Sequence, residues 1–423
     1  MMRSLWIILI LSLLVTSCAP VAGPAGATEA RSDAPRNTTP DVSDEALQTL
    51  VEGNIAFAAD LYRQLREKDG NLFFSPHSIS VALAMTYAGA RGETADQMAE
   101  TLHFTLPQDD LHAAFNALDL ALQPDEDNDD ETFTLNIANS LWAEKTYTFR
   151  DEFLDLLARN YGAGLRLVDF INQYEAARKA INQWVAEKTE GKIKNLIPEG
   201  GVNDLTRLVL ANAIYFNAKW AHVFPEDRTQ DGTFTTAEGN EITVPMMSWS
   251  DPKTVPHTQG EGYQAIELPY RGGNASMVIL MPDAGTLADF ESDLTGERLQ
   301  SILDEMESKS VALTMPKFKY EAKASLAATL KALGMPAAFD PGRADFSGMD
   351  GTRDLYITDV FHKAFVSVDE EGTEAAAATA VVVGIESLPQ IDVELTIDHP
   401  FIYLIRDTQT GAVLFLGRVV DPG

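Results

Sequence analysis

The 423-residue chain contains one cysteine, Cys18, so neither an internal disulfide framework nor a thiolate zinc cage can hold it together. Basic residues are scarce: 32 Lys and Arg stand against 63 Asp and Glu, for a formal charge of −31. A surface that negative repels phosphate backbones, which excludes nucleic-acid binding as a function class. Catalytic signatures are missing too. There is no Gly-x-Ser-x-Gly elbow, no phosphate loop ending in Gly-Lys-Ser or Gly-Lys-Thr, and no His-Glu-x-x-His helix. The histidines, at 77, 103, 112, 222, 257, 362 and 399, include no pair at helical metal-ligand spacing. No enzyme activity, cofactor or metal site is expected. Two patterns imitate sites and are set aside. Gly260 to Ala265 fits a loose dinucleotide fingerprint but follows no buried strand and reads as a turn. Asp125, Asp127 and Asp129 open like a calcium loop, yet Asp130 stands where glycine is needed and Asn136 where glutamate is needed.

What is present is an ordinary globular composition, 45% apolar and 22% charged, with enough apolar residues for a large core. Arg3, an apolar run from Leu5 to Val15 and then Thr16, Ser17 and Cys18 have the layout of a secretory leader, too short to span a membrane as a helix. Val15-Thr16-Ser17-Cys18 resembles a bacterial lipobox. That resemblance implies a signal peptide over 1–17, lipidation of Cys18, and a lipid anchor to the bacterial cell envelope facing periplasm or exterior. Residues 18–43, rich in Ala, Pro, Gly, Ser and Thr without apolar periodicity, read as a flexible tether. From Asp44 to Gly423 no second linker or internal repeat appears, so this stretch reads as one domain. Its first third shows helical spacing: Ala46 to Leu65, Ile79 to Met85, Gly92 to Leu102 and Leu111 to Leu122. Strand patterns follow at Thr132–Glu144, Leu205–Phe216, Gln264–Tyr270, Met277–Met281, Val311–Phe318, Phe361–Val368, Phe401–Ile405 and Val413–Val419. Helices first and strands later give an α+β class.

The most informative segment runs from Asp369 to Ser387. Four consecutive alanines favour a helix or a connector. Parity offers another reading. If Gly372 to Gly384 became a strand, Thr373, Ala375, Ala377, Thr379, Val381 and Val383 would share one uncharged face, while Glu374 would point the other way. This is an apparent loop with the side chains of a central strand.

At this point the chain closely resembles the serpin family, over essentially all of residues 44–423. The motifs carrying the resemblance are Glu370 to Thr379, Asn71 to Ile79, Asn212 to Trp220, Asp398 to Phe401 and Leu416 to Val419, in family order. The resemblance implies helices around a large central mixed sheet with smaller sheets beside it, and an exposed reactive loop at about 370–390. It also implies a suicide substrate: a serine protease cuts the loop, forms an acyl-enzyme, and is trapped when the loop inserts as a new strand. Glu370, Glu371, Gly372, Thr373, Glu374, Ala375, Ala376, Ala377, Ala378 and Thr379 would be the hinge. Family spacing places the cut at Glu386-Ser387, with a slip of one residue, to Ile385 or Ser387, open, and so implies a target preferring Glu. Ser75, Ser78, Asn212, Trp220 and His362 correspond to the sheet-opening region. Residues 109–115 lack Lys and Arg, so heparin activation is not expected. A monomer is expected. The alternatives are a non-inhibitory binding protein and a cross-class inhibitor of a cysteine protease.

Overall fold

The computed structural model describes residues 26–123, 134–373 and 391–423. Cys18, the acidic run at 125–131, and Glu374 to Thr379, Glu386 and Ser387 therefore lie outside the described residues. Four helices lead the chain: Asp44–Leu65, Pro76–Tyr87, Gly92–Thr101 and Gln108–Ala121. The first begins where the Ser43 hydroxyl accepts the Ala46 N–H. The second starts at Pro76, already fixed near helical φ, with Ser75 as its N-cap. Apart from Val81 its residues are all buried, as expected of a helix enclosed by core on every side.

Among the described residues the strands form a seven-stranded and a ten-stranded sheet. In the smaller one the order is Thr28–Ala30, Leu165–Val168, Thr134–Glu144, Leu208–Lys219, Gly372–Thr373, Ile357–Val368 and Phe318–Ser325. Side-chain alternation divides its two faces. Leu208, Leu210, Ile214 and Phe216 join the main core, whereas Val209, Ala211 and Ala213 meet helix Phe170–Lys188 through Ile181, Trp184 and Val185. Strands Leu208–Lys219 and Ile357–Val368 are parallel and pair directly, from Leu208 opposite Ile357 to Tyr215 opposite Phe365. Beyond that level Gly372–Thr373 occupies the space between them, antiparallel to both.

The run Val311–Phe318, read as one strand, is two. Glu307–Pro316 belongs to the larger sheet and Phe318–Ser325 to the smaller, because Pro316 cannot donate to a continuing ladder. The Gly260–Ala265 segment is, as read, a hairpin turn, with Gly262 at φ +79.

The tether reading requires correction for residues 26–43, which are docked on the body. Thr28–Ala30 is an edge strand against Leu165–Val168. Arg36 donates from Nε to Asn116 Oδ1 at 2.9 Å and pairs with Asp119 at 2.5 Å. The fully buried Asn116 then donates to the Asn37 carbonyl at 2.6 Å, and the Asn37 N–H bonds the Arg159 carbonyl at 2.9 Å. A Cβ on Gly164 would stand 2.9 Å from the Ala30 carbonyl oxygen, so that position must be glycine for the segment to approach. Backbone pairing and polar contacts hold this segment, which is why a test for apolar periodicity misses it. Asn116→Ala leaves Arg36 Nε and the Asn37 carbonyl without their partner. It is expected to lower the stability of the full chain by about 1–3 kcal/mol, read as a lower thermal midpoint.

Candidate functional site

Two clusters flank the junction between strands Leu208–Lys219 and Ile357–Val368. The lower one is a row across the sheet. Asn139, Asn212 and His362 are cross-strand neighbours in register, each interrupting an otherwise apolar inward face. Helix Pro76–Tyr87 caps the row from behind. Asn212 Nδ2 donates to Asn139 Oδ1 at 2.6 Å and to Ser78 Oγ at 2.7 Å, and Ser78 Oγ donates to Asn139 Oδ1 at 2.9 Å. Ser75 Oγ accepts the Ser78 N–H at 3.1 Å and donates to the Leu414 carbonyl at 2.6 Å, tying the row to the larger sheet. The Ser75 N–H donates to His362 Nε2 at 3.3 Å, so Nε2 is bare and the proton sits on Nδ1, which donates to Asn212 Oδ1. Burial holds the His362 pKa down at about 3. A second proton would set Nε2–H against the Ser75 N–H.

The upper cluster grips the segment from Asp369 to Thr373. Asp369 to Gly372 form a tight turn, with the Asp369 N–H bonded to the Gly372 carbonyl at 3.0 Å. Trp220 clamps that turn: its indole N–H donates to the Asp369 carbonyl at 2.9 Å and its backbone N–H to the Glu371 carbonyl at 2.8 Å. The Phe224 N–H takes the Glu370 carbonyl at 2.9 Å. Glu370 is buried, and burial raises its pKa, but Lys317 at 2.7 Å and the Thr229 hydroxyl at 2.6 Å outweigh that and hold it below the ordinary glutamate value. Burial pushes the Asp369 carboxyl up, against the N–H groups of Glu371 and Gly372 and the more distant Lys317 charge. Trp220 stacks on Tyr270 at 4.6 Å between centroids, and the Tyr270 hydroxyl meets Thr373 Oγ1 at 2.7 Å. Thr373 is fully buried. A Cβ on Gly372 would fall 2.0 Å from the Ala218 carbonyl oxygen, so no other residue passes here without moving the strand.

The structure thus gathers Ser75, Ser78, Asn212 and His362 in one cluster and places Trp220 apart from them, with Glu370, Gly372 and Thr373. Sequence reasoning missed Asn139, Tyr270, Lys317 and Thr229. Asn139 had a signal: it is the polar residue on the Leu135, Ile137, Leu141 face of an alternating strand. Lys317 and Thr229 come from connecting segments and had none.

The serpin family model, described as serine protease inhibitor, matches residues 52–422. The chain belongs to the serpin family. Among its relatives, the leukocyte elastase inhibitor A of Mus musculus is 42% identical over 387 residues, covering 89% of this chain and all of the relative. The Homo sapiens leukocyte elastase inhibitor is 40% identical with the same coverage. Among solved structures, native Tengpin, a thermophilic serpin, superposes with a TM-score of 0.82 at 29% identity, over 93% of this chain and 99% of that one. Thyroxine-binding globulin complexed with its ligand gives 0.79 at 32%, over 89% and 99%. This serpin is a member of an inhibitor family and not an enzyme, and its fold is the α+β serpin fold.

The comparisons correct the expected placement as a lipid-anchored protein of a bacterial envelope. The relatives named here as elastase inhibitors are vertebrate proteins, matched over their whole length by 89% of this chain, and none is named as an envelope lipoprotein. A short apolar run ending in small residues and a cysteine is a compositional pattern of few positions; the match over nearly the whole domain carries far more information.

The buried histidines make the serpin acid-sensitive. Desolvation lowers His77 and His112 to about 4, beside His362 at about 3. Each unfolded histidine binds its proton near pH 6.5. The unfolded chain therefore holds more protons between about pH 6.5 and 4, and stability falls as pH drops through that window. His77 has no hydrogen-bond partner among the described residues, so His77→Leu removes one titrating group without breaking a bond. Urea midpoints are expected to fall steadily from pH 7 to 5 in the wild type, and less steeply in His77→Leu.

Proposed function

We propose that this serpin is a suicide-substrate inhibitor of a serine protease, cut at Glu386-Ser387 and trapping its target by loop insertion. The observation that carries the reading is the register of Thr373, opposite Val368 on one side and Ala218 on the other. Continued antiparallel, the same register brings Ala375 opposite Val366, Ala377 opposite Ala364 and Thr379 between Asn212 and His362. The uncharged face then turns inward, and its next hydroxyl after Thr373 arrives at the level where the His362–Asn212 bond has to break. Small side chains at 375, 376, 377 and 378 bring little bulk to that path. Insertion also replaces one parallel pairing by two antiparallel ones, which are somewhat more stable per residue.

The relatives are named for inhibition of leukocyte elastase, and a one-residue slip would present the apolar Ile385 to the target instead of Glu386. A second reading, a ligand-binding protein that inhibits nothing, is favoured by the structural likeness to thyroxine-binding globulin. Hinge chemistry argues against it, because the 373–383 face carries no charge that would have to be desolvated.

The test is a denaturing gel of the serpin mixed with a Glu-specific serine protease and, separately, with leukocyte elastase, scored for covalent complex against free cleaved chain. Wild type is expected to form complex with one of them. Thr373→Arg puts a cation into a fully buried site beside Tyr270, at a cost on the order of several kcal/mol, and is expected to yield cleaved chain alone. Glu386→Arg is expected to keep trapping but to move it to an Arg-cleaving protease. Cleavage without complex in the wild type, or equal trapping by Thr373→Arg, rejects loop insertion.

A further inference from the structure

On the sheet face that carries helix Phe170–Lys188, Lys194, Lys323 and Lys363 line one recess of about 390 Å³, with Asn195 and Glu321 completing its wall. Three ammonium groups against one carboxylate is a local excess of positive charge in a chain of formal charge −31. Two features show that this excess is arranged. Lys323 and Lys363 stand directly opposite each other across the Phe318–Ser325 and Ile357–Val368 pair, a like-charge juxtaposition that costs stability by itself. Lys363 is also buried, its ammonium donating to the Lys194 carbonyl at 3.0 Å and pairing with Glu321 at 2.9 Å, which leaves its third donor uncommitted. The exposed Lys194 and Lys323 have no side-chain hydrogen bond or ion pair among the described residues.

We propose that this recess binds a small tetrahedral oxyanion of the phosphate or sulfate class, and that the bound anion holds the sheet closed. Two charges in excess over Glu321 match a dianion, and three ammonium donors match its oxygens. The site bridges parts that have to separate. Lys363 lies on strand Ile357–Val368 directly across from Ala213 of the neighbouring strand. Lys194 belongs to the segment whose Ile193, Leu196 and Ile197 pack over both strands, against Val209, Ala211, Ala213 and Phe361. A strand entering between them has to lift that segment away from Lys363, and an anion shared by Lys194, Lys323 and Lys363 resists the lift. The control of insertion rests on the inhibitory reading above; the binding does not. Free phosphate and the sulfate groups of a sulfated sugar share this chemistry, but a long polyanion is repelled by a chain of formal charge −31, so the ligand is the free ion.

The experiment titrates inorganic phosphate into the full chain by calorimetry, with ionic strength held constant by sodium chloride. Saturable binding with a Kd on the order of 1 mM is expected. Lys194→Gln and Lys323→Gln, both at exposed positions, are each expected to weaken it about three- to fivefold. Binding that does not saturate, or that is equal in both variants and wild type, overturns the site. A heparin-derived hexasaccharide that binds more tightly than phosphate at the same ionic strength overturns the choice of ligand. In trapping assays, saturating phosphate is expected to raise the proportion of cleaved, untrapped chain in wild type and to do so less in the two variants. Intact phosphate binding with unchanged partition overturns the control of insertion, and the calorimetry stands or falls on its own if no protease is trapped.

Discussion

The seam between strands Leu208–Lys219 and Ile357–Val368 is the constraint on which the rest of the structure depends. Two parallel strands from distant parts of the chain pair through the middle of the sheet and separate at one end, where Gly372 and Thr373 already sit between them. A sheet in this state is closed without being complete. The native arrangement keeps it so by placing a polar row, Asn139, Asn212 and His362, across the seam and satisfying it from the helix behind with Ser75 and Ser78. Buried polar groups are costly when unpaired. The row therefore resists partial opening more than an apolar row would.

The segment Asp369 to Thr373 is fitted to this end of the seam by close approach and by capture of its carbonyls. Gly372 passes the Ala218 carbonyl where no side chain fits, and Trp220 and Phe224 take the carbonyls of Asp369, Glu370 and Glu371. Lys317 and Thr229 neutralise and hold Glu370, so the one charge buried at the turn stays paired. Thr373 then enters the sheet with its hydroxyl on Tyr270.

Much of this was legible in the sequence, and the limits were physical. Long elements with strong periodicity, such as Asp44–Leu65 and Val413–Val419, appear within a few residues of their expected bounds. Parity along 373–383 gave an expected inserting face because a strand's two faces differ only through alternation, and of that face Thr373 alone lies among the described residues. Thr28–Ala30 and Leu165–Val168 escaped, being too short to show a period. The partner of Trp220 escaped, since no local pattern says that an indole will meet a carbonyl 149 positions away. Tyr270 and Lys317 escaped for the same reason. The leader pattern misled about placement because a few small residues and a cysteine weigh little against similarity over the whole domain.

The central claim is that the native sheet has an unfilled place for the strand beginning at Thr373. The most direct measurement is the thermal midpoint of the chain before and after a single proteolytic cut near Ile385, with the cut verified by mass. Nicking ordinarily loosens a fold. Here the freed segment gains strand pairing on both sides and buries the Thr373 to Val383 face, so the cut chain is predicted to melt well above the intact one. A midpoint that is unchanged or lower would contradict the account.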